Sequence, residues 1–292
     1  MIPPLDRTRS AWLAGYFDEA AANYAEHIEP AFGPLAAVLV RSAGVQLGER
    51  VLDLGTGSGA AARHAAALGA EAFALDFSPA MLAAARRQGT PNLLCADMHA
   101  LPLASCSFDV VLAAFAFNST DPTISMAEAR RVLKPGGRLA LHEWGTEDAL
   151  EAILNDTLAA YAVEDPPPDL ALIRERAEVP LPWDTLESME DIVGVLRGAG
   201  FVRIRAAVIN PTVWFEDARS FMRYKLAWPI RQAELRAMPP DVRSLCLSDL
   251  EENLGARAET DGRLRWQPNV VQIMAYRRRR SRPNSARRSA RP

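Results

Sequence analysis

Two acids and a run of glycines carry the first recognisable chemistry in this 292-residue chain. In VLDLGTGSG (51–59) an apolar run ends in a turn holding Gly55, Gly57 and Gly59, and Asp53 is the only charge in the run. Asp76 closes a second apolar run, FALD, about 20 residues on, where an acid commonly takes ribose hydroxyls. A strand, a glycine turn and a helix N-terminus favour a ligand laid over backbone N–H groups. The glycines alone do not choose that ligand, because Gly55, Gly57 and Ala60 also satisfy the relaxed dinucleotide fingerprint. Asp53 makes the choice. A pyrophosphate over this turn would face its carboxylate and be repelled, whereas the methionyl ammonium of S-adenosylmethionine would be attracted. The other role open to Asp53 is to cap the turn that follows it. A nicotinamide enzyme is disfavoured on the same ground.

The elements that must position these residues alternate. Strands are expected at 50–54, 71–76, 92–95, 108–115 and 137–143, with helices at 58–68, 79–87 and 124–133 between them. This rhythm implies βαβ units and a mostly parallel sheet. The expected fold class is therefore α/β, a doubly wound, seven-stranded Rossmann-like sheet with helical lid insertions. Residues 1–48 form N-terminal helices (about 11–30 and 32–46) acting as a lid, and 49–145 form the ligand-binding core. Residues 146–190 are a helical, proline-rich insertion and 191–210 a core helix and strand. A helical lid insertion follows at 211–266, then the final core strand at 267–277 and a disordered basic tail at 278–292.

Composition narrows the partners. The last 16 residues hold eight arginines and no acid, and taking those eight charges from the formal −3 leaves −11 for the rest. An acidic body repels a phosphate backbone, which disfavours nucleic acid as a partner. No apolar run approaches the ~18 residues of a membrane helix, so no membrane partner is expected. The start MIPPLDRTRS lacks the apolar core of a secretory signal. Cys95, Cys106 and Cys246 form no CxxC pair, and a cytoplasmic location is expected. His27, His64, His99 and His142 are scattered without ligand spacing, so no metal is expected; His64 and His99 are read as structural.

Four segments then carry a resemblance: YFDEAAANY (16–24), VLDLGTGSG (51–59), ADMHALPLASCSFDVVLAAFAF (96–117) and ARRVLKPGGRLAL (129–141). In this order and spacing they resemble class I S-adenosylmethionine-dependent methyltransferases, most closely the small-molecule type of ubiquinone and menaquinone biosynthesis. The resemblance implies S-adenosyl-L-methionine as cofactor, with S-adenosyl-L-homocysteine as product, and methyl transfer to a small organic acceptor. It implies that Asp53, Gly55, Thr56, Gly57 and Gly59 line the methionyl end, and that Asp76 holds the ribose hydroxyls. Phe77, Met81, Asp97 and Met98 would surround the adenine, with Tyr24 on the helix that folds over the cofactor. Lys134 to Gly137 make the turn into the fifth strand.

Substrate contacts are expected from Tyr16, from Asn118 after the fourth strand, and from Trp144 after the fifth. His142 and Glu143 are the candidate catalytic bases; alternation along LALHEW puts them on opposite faces, so one at most reaches the substrate. The segment after the fourth strand lacks the NPPY or DPPY pattern of nucleic-acid amino methyltransferases. Other chemistry on the same cofactor remains an alternative, either aminocarboxypropyl transfer or a pericyclase-like reaction, followed by nucleic-acid methylation. The sequence leaves the oligomeric state open, a homodimer included.

Overall fold

A computed structural model describes residues 7–279. The expected basic tail lies outside the described residues from position 280 onward. The chain begins with α1 (Arg7–Asn23), a π-type turn over Tyr24–Ile28, and α2 (Glu29–Ala43). The core follows as β1 (Arg50–Leu54), α3 (Ala60–Ala67), β2 (Glu71–Asp76), α4 (Pro79–Arg87), β3 (Leu93–Cys95), β4 (Phe108–Ala114), α5 (Pro122–Val132) and β5 (Leu133–Trp144). Two helices, α6 (Ala149–Ala160) and α7 (Pro168–Glu178), lead to α8 (Met189–Gly198) and β6 (Phe201–Ile209). The last part holds β7 (Val213–Phe215), α9 (Ala218–Leu226), α10 (Pro229–Ala237), α11 (Pro240–Gly255), β8 (Leu264–Trp266) and β9 (Val270–Arg277).

Seven strands form one sheet in the order β3-β2-β1-β4-β5-β9-β6. Neighbours from β3 through β5 run parallel, and β9 is antiparallel to both β5 and β6. The order reverses between β1 and β4, and such a switch point opens a crevice at the carboxyl ends of the strands. Helices cover both faces. Leu39 and Val40 of α2 and Ala61 and Ala65 of α3 pack on Val51, Leu112 and Ala140. On the other face Met126 and Ala129 of α5 and Ile192 and Leu196 of α8 pack on Leu52, Val111 and Leu141. An interior parallel strand is buried on both sides, which is why 51–54 reads as an unbroken apolar run with a single acid.

The helix starts that frame the crevice are set by local chemistry. Ser78 caps α4 by accepting the Met81 N–H at 3.0 Å, and Asp121 caps α5 by accepting the Thr123 N–H at 2.9 Å, each just before a proline. Two expectations are corrected. The second helix starts at Glu29, three residues before the expected 32, because the backbone from Tyr24 continues through the π-type turn instead of breaking at Pro30. Residues 211–266 are also not wholly helical: β7 and β8 pair antiparallel, and with α6, α9 and α11 they close a third core around Ile28, Phe32 and Leu35. No helix among the described residues is long and apolar enough to cross a membrane.

Candidate active site

The turn after β1 runs through left-handed backbone at Gly55 (φ 63°), Gly57 (φ 54°) and Gly59 (φ 94°). Close approach adds to the need for glycine at two of them. A Cβ on Gly55 would sit 2.5 Å from the Ala116 Cβ, and one on Gly59 would sit 1.9 Å from Thr90 Oγ1. Asp76 ties the turn to β2: one carboxylate oxygen accepts the Gly57 N–H at 2.8 Å, the other the Ser78 N–H at 2.9 Å. Burial pushes the Asp76 carboxyl upward, and the N–H groups of Ser78, Gly57 and Phe77 oppose that shift.

A cavity of about 240 Å³ opens beside this turn. Gly55 and Gly57 form its floor, and Asp76, Phe77, Met81, Asp97 and Met98 line one part of its wall. Phe17 of α1 stands edge-on to Phe77, with ring centres 5.9 Å apart. Another part of the wall is aromatic. Phe115 stacks on Trp144 at 4.0 Å, Phe32 meets both edge-on, and Tyr24 meets Trp228 edge-on at 6.0 Å. Asn118, Ser119 and Thr120 supply the polar groups there. Burial pushes the Tyr24 hydroxyl well above its usual range, and the carboxylates of Asp76, Glu29 and Asp53 push it further.

Several expected residues stand elsewhere. Asp53 is 1% exposed and does not line the cavity; its Oδ2 accepts the Thr56 hydroxyl at 2.6 Å and the Ala62 N–H at 3.1 Å. It caps the turn from below, and burial raises its carboxyl to about 7. Thr56 and Gly59 are likewise behind the lining, spent on that cap and on the contact with Thr90. Tyr16 packs between Trp12 and Phe17, and burial lifts its hydroxyl to about 12.

The two candidate bases are not cavity-lining either. His142 is fully buried, its Nε2 donates to Gln272 Oε1 at 3.1 Å, and burial lowers its pKa to about 4. Glu143 is 1% exposed, accepts the Phe117 N–H at 2.7 Å, and burial raises its carboxyl to about 8. Both sit at the end of β5, Glu143 turned to the backbone of the turn that follows β4 and His142 to Gln272 of β9.

His99, read from sequence as structural, does line the cavity, yet both ring nitrogens are engaged. Its Nδ1 donates to Asp97 Oδ1 at 2.7 Å, and its Nε2 accepts the Asp121 N–H at 2.9 Å. Phe17, Phe32, Phe115 and Trp228 were not expected from sequence. Phe115 and the AFAF segment were the nearest to a signal; Phe32 and Trp228 come from helix α2 and the α9–α10 junction, where nothing local marks them.

A methyltransferase-domain model matches residues 52–141. The chain is 32% identical over 249 residues to a malonyl-(acyl-carrier protein) O-methyltransferase of Enterobacter lignolyticus, covering 79% of this chain and 93% of that protein. It is 38% identical over 153 residues to the enzyme of the same name from Alcanivorax borkumensis, covering 47% of this chain and 49% of that protein. It is 38% identical over 109 residues to a demethylmenaquinone methyltransferase of Renibacterium salmoninarum, covering 37% of this chain and 46% of that protein. The chain thus spans about half the length of the latter two. Among solved structures, the methyltransferase in a complex with a Haloferax volcanii methyltransferase activator superposes with a TM-score of 0.56 at 22% identity, covering 90% of this chain and 97% of that one. Haemonchus contortus phosphoethanolamine N-methyltransferase 2 gives 0.51 at 18%, covering 84% of this chain and 52% of that one. These two likenesses are of fold.

Proposed function

This chain belongs to the S-adenosylmethionine-dependent methyltransferases, and from that premise we propose that its acceptor is a planar, apolar organic molecule whose nucleophile needs no base from the protein. The observation that carries this is the acceptor side of the cavity: five aromatic rings, from Tyr24, Phe32, Phe115, Trp144 and Trp228, with Asn118, Ser119 and Thr120 as its polar groups. No lysine or arginine lines it among the described residues, so nothing there would neutralise a carboxylate. His99, the only histidine lining the cavity among the described residues, has no free ring nitrogen.

The residues fit the cofactor. Gly57 lines the cavity without a side chain, and the Tyr24 ring lies 3.4 Å from where its Cβ would be, in contact with the turn. Each Asp76 oxygen spends one lone pair on an N–H and keeps the other for a ribose hydroxyl. Phe77, Met81 and Met98 offer apolar faces to the base, and Asp97 an acceptor. Gly55, Gly57 and Tyr24 would face the methionyl end, while Asp53, Thr56 and Gly59 hold the turn that presents it.

The bound cofactor supplies an already activated methyl group on a sulfonium. The protein's part is alignment and exclusion of water. The aromatic wall holds the acceptor plane, the 115–120 turn sets the distance from the glycine floor, and α1 covers the adenine side. Orientation of this kind can lower a barrier by roughly 7–11 kcal/mol. An ionised phenol takes the methyl with no proton left to lose, whereas an electron-rich ring carbon sheds its ring proton to water after the transfer; neither needs a protein base for the attack. The reading takes the enzyme to work in the cytoplasm, without a metal and without nucleic acid. Titrating a naphthohydroquinone into the S-adenosylhomocysteine-loaded protein tests the acceptor class. Binding that Trp144→Ala weakens at least tenfold supports it, and indifference of the protein to the ring compound rejects it.

A further inference from the structure

Glu143 is a buried acid that the methyl-transfer reading leaves without work. A carboxylate taken out of water is costly unless strong donors meet it. Its Oε1 receives the peptide N–H of Phe117 at 2.7 Å, the N–H groups of Ala116 and Asn118 also point at it, and its Oε2 has no hydrogen-bond partner. All of these donors belong to one short turn, the one that follows β4.

That turn is unusual backbone in an unusual place. Phe115, its first residue, is in the left-handed region at φ 58°, which a non-glycine residue adopts only where its surroundings compel it. In that conformation its N–H reaches the His142 carbonyl at 2.8 Å and its ring lies flat on Trp144. Ala116 is pressed against Gly55, so closely that no side chain fits there. Asn118 then enters the cavity. The turn therefore builds one wall of the acceptor side and touches the glycine floor at the same time.

We infer that Glu143 is a positioning residue: from beneath the sheet end it latches the 115–118 turn, and so fixes the Phe115 ring and Asn118 against the glycine turn. The inference rests on the methyltransferase reading for what the turn positions, but the latch itself is a property of the fold. Glu143 does not line the cavity, so its role is exerted through the turn. A glutamine at this position keeps an oxygen for the Phe117 N–H and the same shape; an alanine keeps neither.

The test uses the full chain. Amide hydrogen exchange resolved to single residues, near-ultraviolet circular dichroism of the Phe115–Trp144 stack, and calorimetric titration of S-adenosylhomocysteine are compared for wild type, Glu143→Gln and Glu143→Ala. Glu143→Ala is expected to speed exchange at Phe117 at least tenfold while the β1 and β2 amides stay within twofold. It should also flatten the aromatic dichroism and weaken S-adenosylhomocysteine about five- to twentyfold. Glu143→Gln should stay within threefold of wild type in all three. Unchanged Phe117 exchange in Glu143→Ala, or a glutamine variant as loose as the alanine one, overturns the latch. Should the alanine variant not fold, wild type alone decides: a Phe117 amide exchanging at the rate of an unstructured peptide overturns it, and protection of 100-fold or more supports it. Failure of wild type to bind S-adenosylhomocysteine would count against the cofactor reading and leave the exchange result standing.

Discussion

The Asp76 carboxylate accepts the peptide N–H of Gly57 at 2.8 Å, so the tip of β2 and the glycine turn after β1 form one unit. Any ligand laid over the turn and reaching toward the second strand meets a carboxylate whose position is already fixed. Asp76→Ala removes both that tie and the proposed partner of the ribose hydroxyls. Losing hydrogen bonds to a charged group costs roughly 1.5–3 kcal/mol, so S-adenosylhomocysteine affinity should fall at least tenfold by calorimetry. Asp76→Ala binding like wild type would remove Asp76 from the site.

Asp53 separates two roles that the sequence leaves open. Its Oδ2 is committed to Thr56 and Ala62, so Asp53→Ala should lower thermal stability by uncapping the turn, with about 1–3 kcal/mol lost as buried donors go unmet. Because the whole turn loosens, S-adenosylhomocysteine and 5′-methylthioadenosine should lose affinity by similar factors. A loss confined to S-adenosylhomocysteine, which alone carries the amino-acid end, would restore Asp53 as the partner of the ammonium.

Stability should fall with rising pH across the neutral range. Burial raises the carboxyls of Asp53 from 3.8 to about 7 and of Glu143 from 4.5 to about 8. Both acids hold their protons longer in the folded chain than in the unfolded one. The stability this adds is complete below about 4 and is lost as pH rises through 7 and 8. His142 is lowered from 6.5 to about 4, so its contribution is complete above 6.5 and is lost only as pH falls through 4. Between pH 6.5 and 8 the two acids therefore govern the slope among these three groups. Urea unfolding of the ligand-free protein at pH 6.5 and 8 should show a drop that Glu143→Gln makes smaller; an equal or larger drop in the variant contradicts the assignment.

His142 should be dispensable for the chemistry. A general base is worth about 10²–10⁴ in rate, but this imidazole is fully buried, outside the cavity lining and bonded to Gln272. His142→Gln is expected to keep turnover within about threefold, measured at pH 7.5 with saturating S-adenosylmethionine. A hundredfold loss with normal cofactor affinity would make it the base after all.

Of the cavity lining, the glycine turn and the tip of β2 were far more legible in the sequence than the aromatic wall, and the reason is locality. Gly55, Gly57 and Asp76 lie at the ends of two adjacent strands, where spacing along the chain translates directly into spacing across the sheet. The aromatic wall draws Tyr24, Phe32, Phe115, Trp144 and Trp228 from five separate places, and no period or motif links them. His142 and Glu143 read as catalytic because a strand end in this fold faces a crevice; the sequence does not say that the 116–118 backbone takes up Glu143 and that Gln272 takes up His142. The short strands β7 and β8 were missed because three residues are too few to show alternation. His99 reads as structural from sequence, but its place in the cavity lining is not legible there, because its neighbours in space, Asp97 and the Asp121 backbone, meet it only once the turns after β3 and β4 come together.

Transfer of a sulfonium methyl to a planar apolar acceptor without a protein base can be read from the product. The full chain is incubated with S-adenosylmethionine labelled in its methyl group and, in separate reactions, a reduced demethylmenaquinone and malonyl-(acyl-carrier protein). Label is expected in the ring compound and none in the malonyl thioester, whose free carboxylate finds no cation in the cavity lining among the described residues. Label in the malonyl carboxylate and none in the ring compound would contradict it.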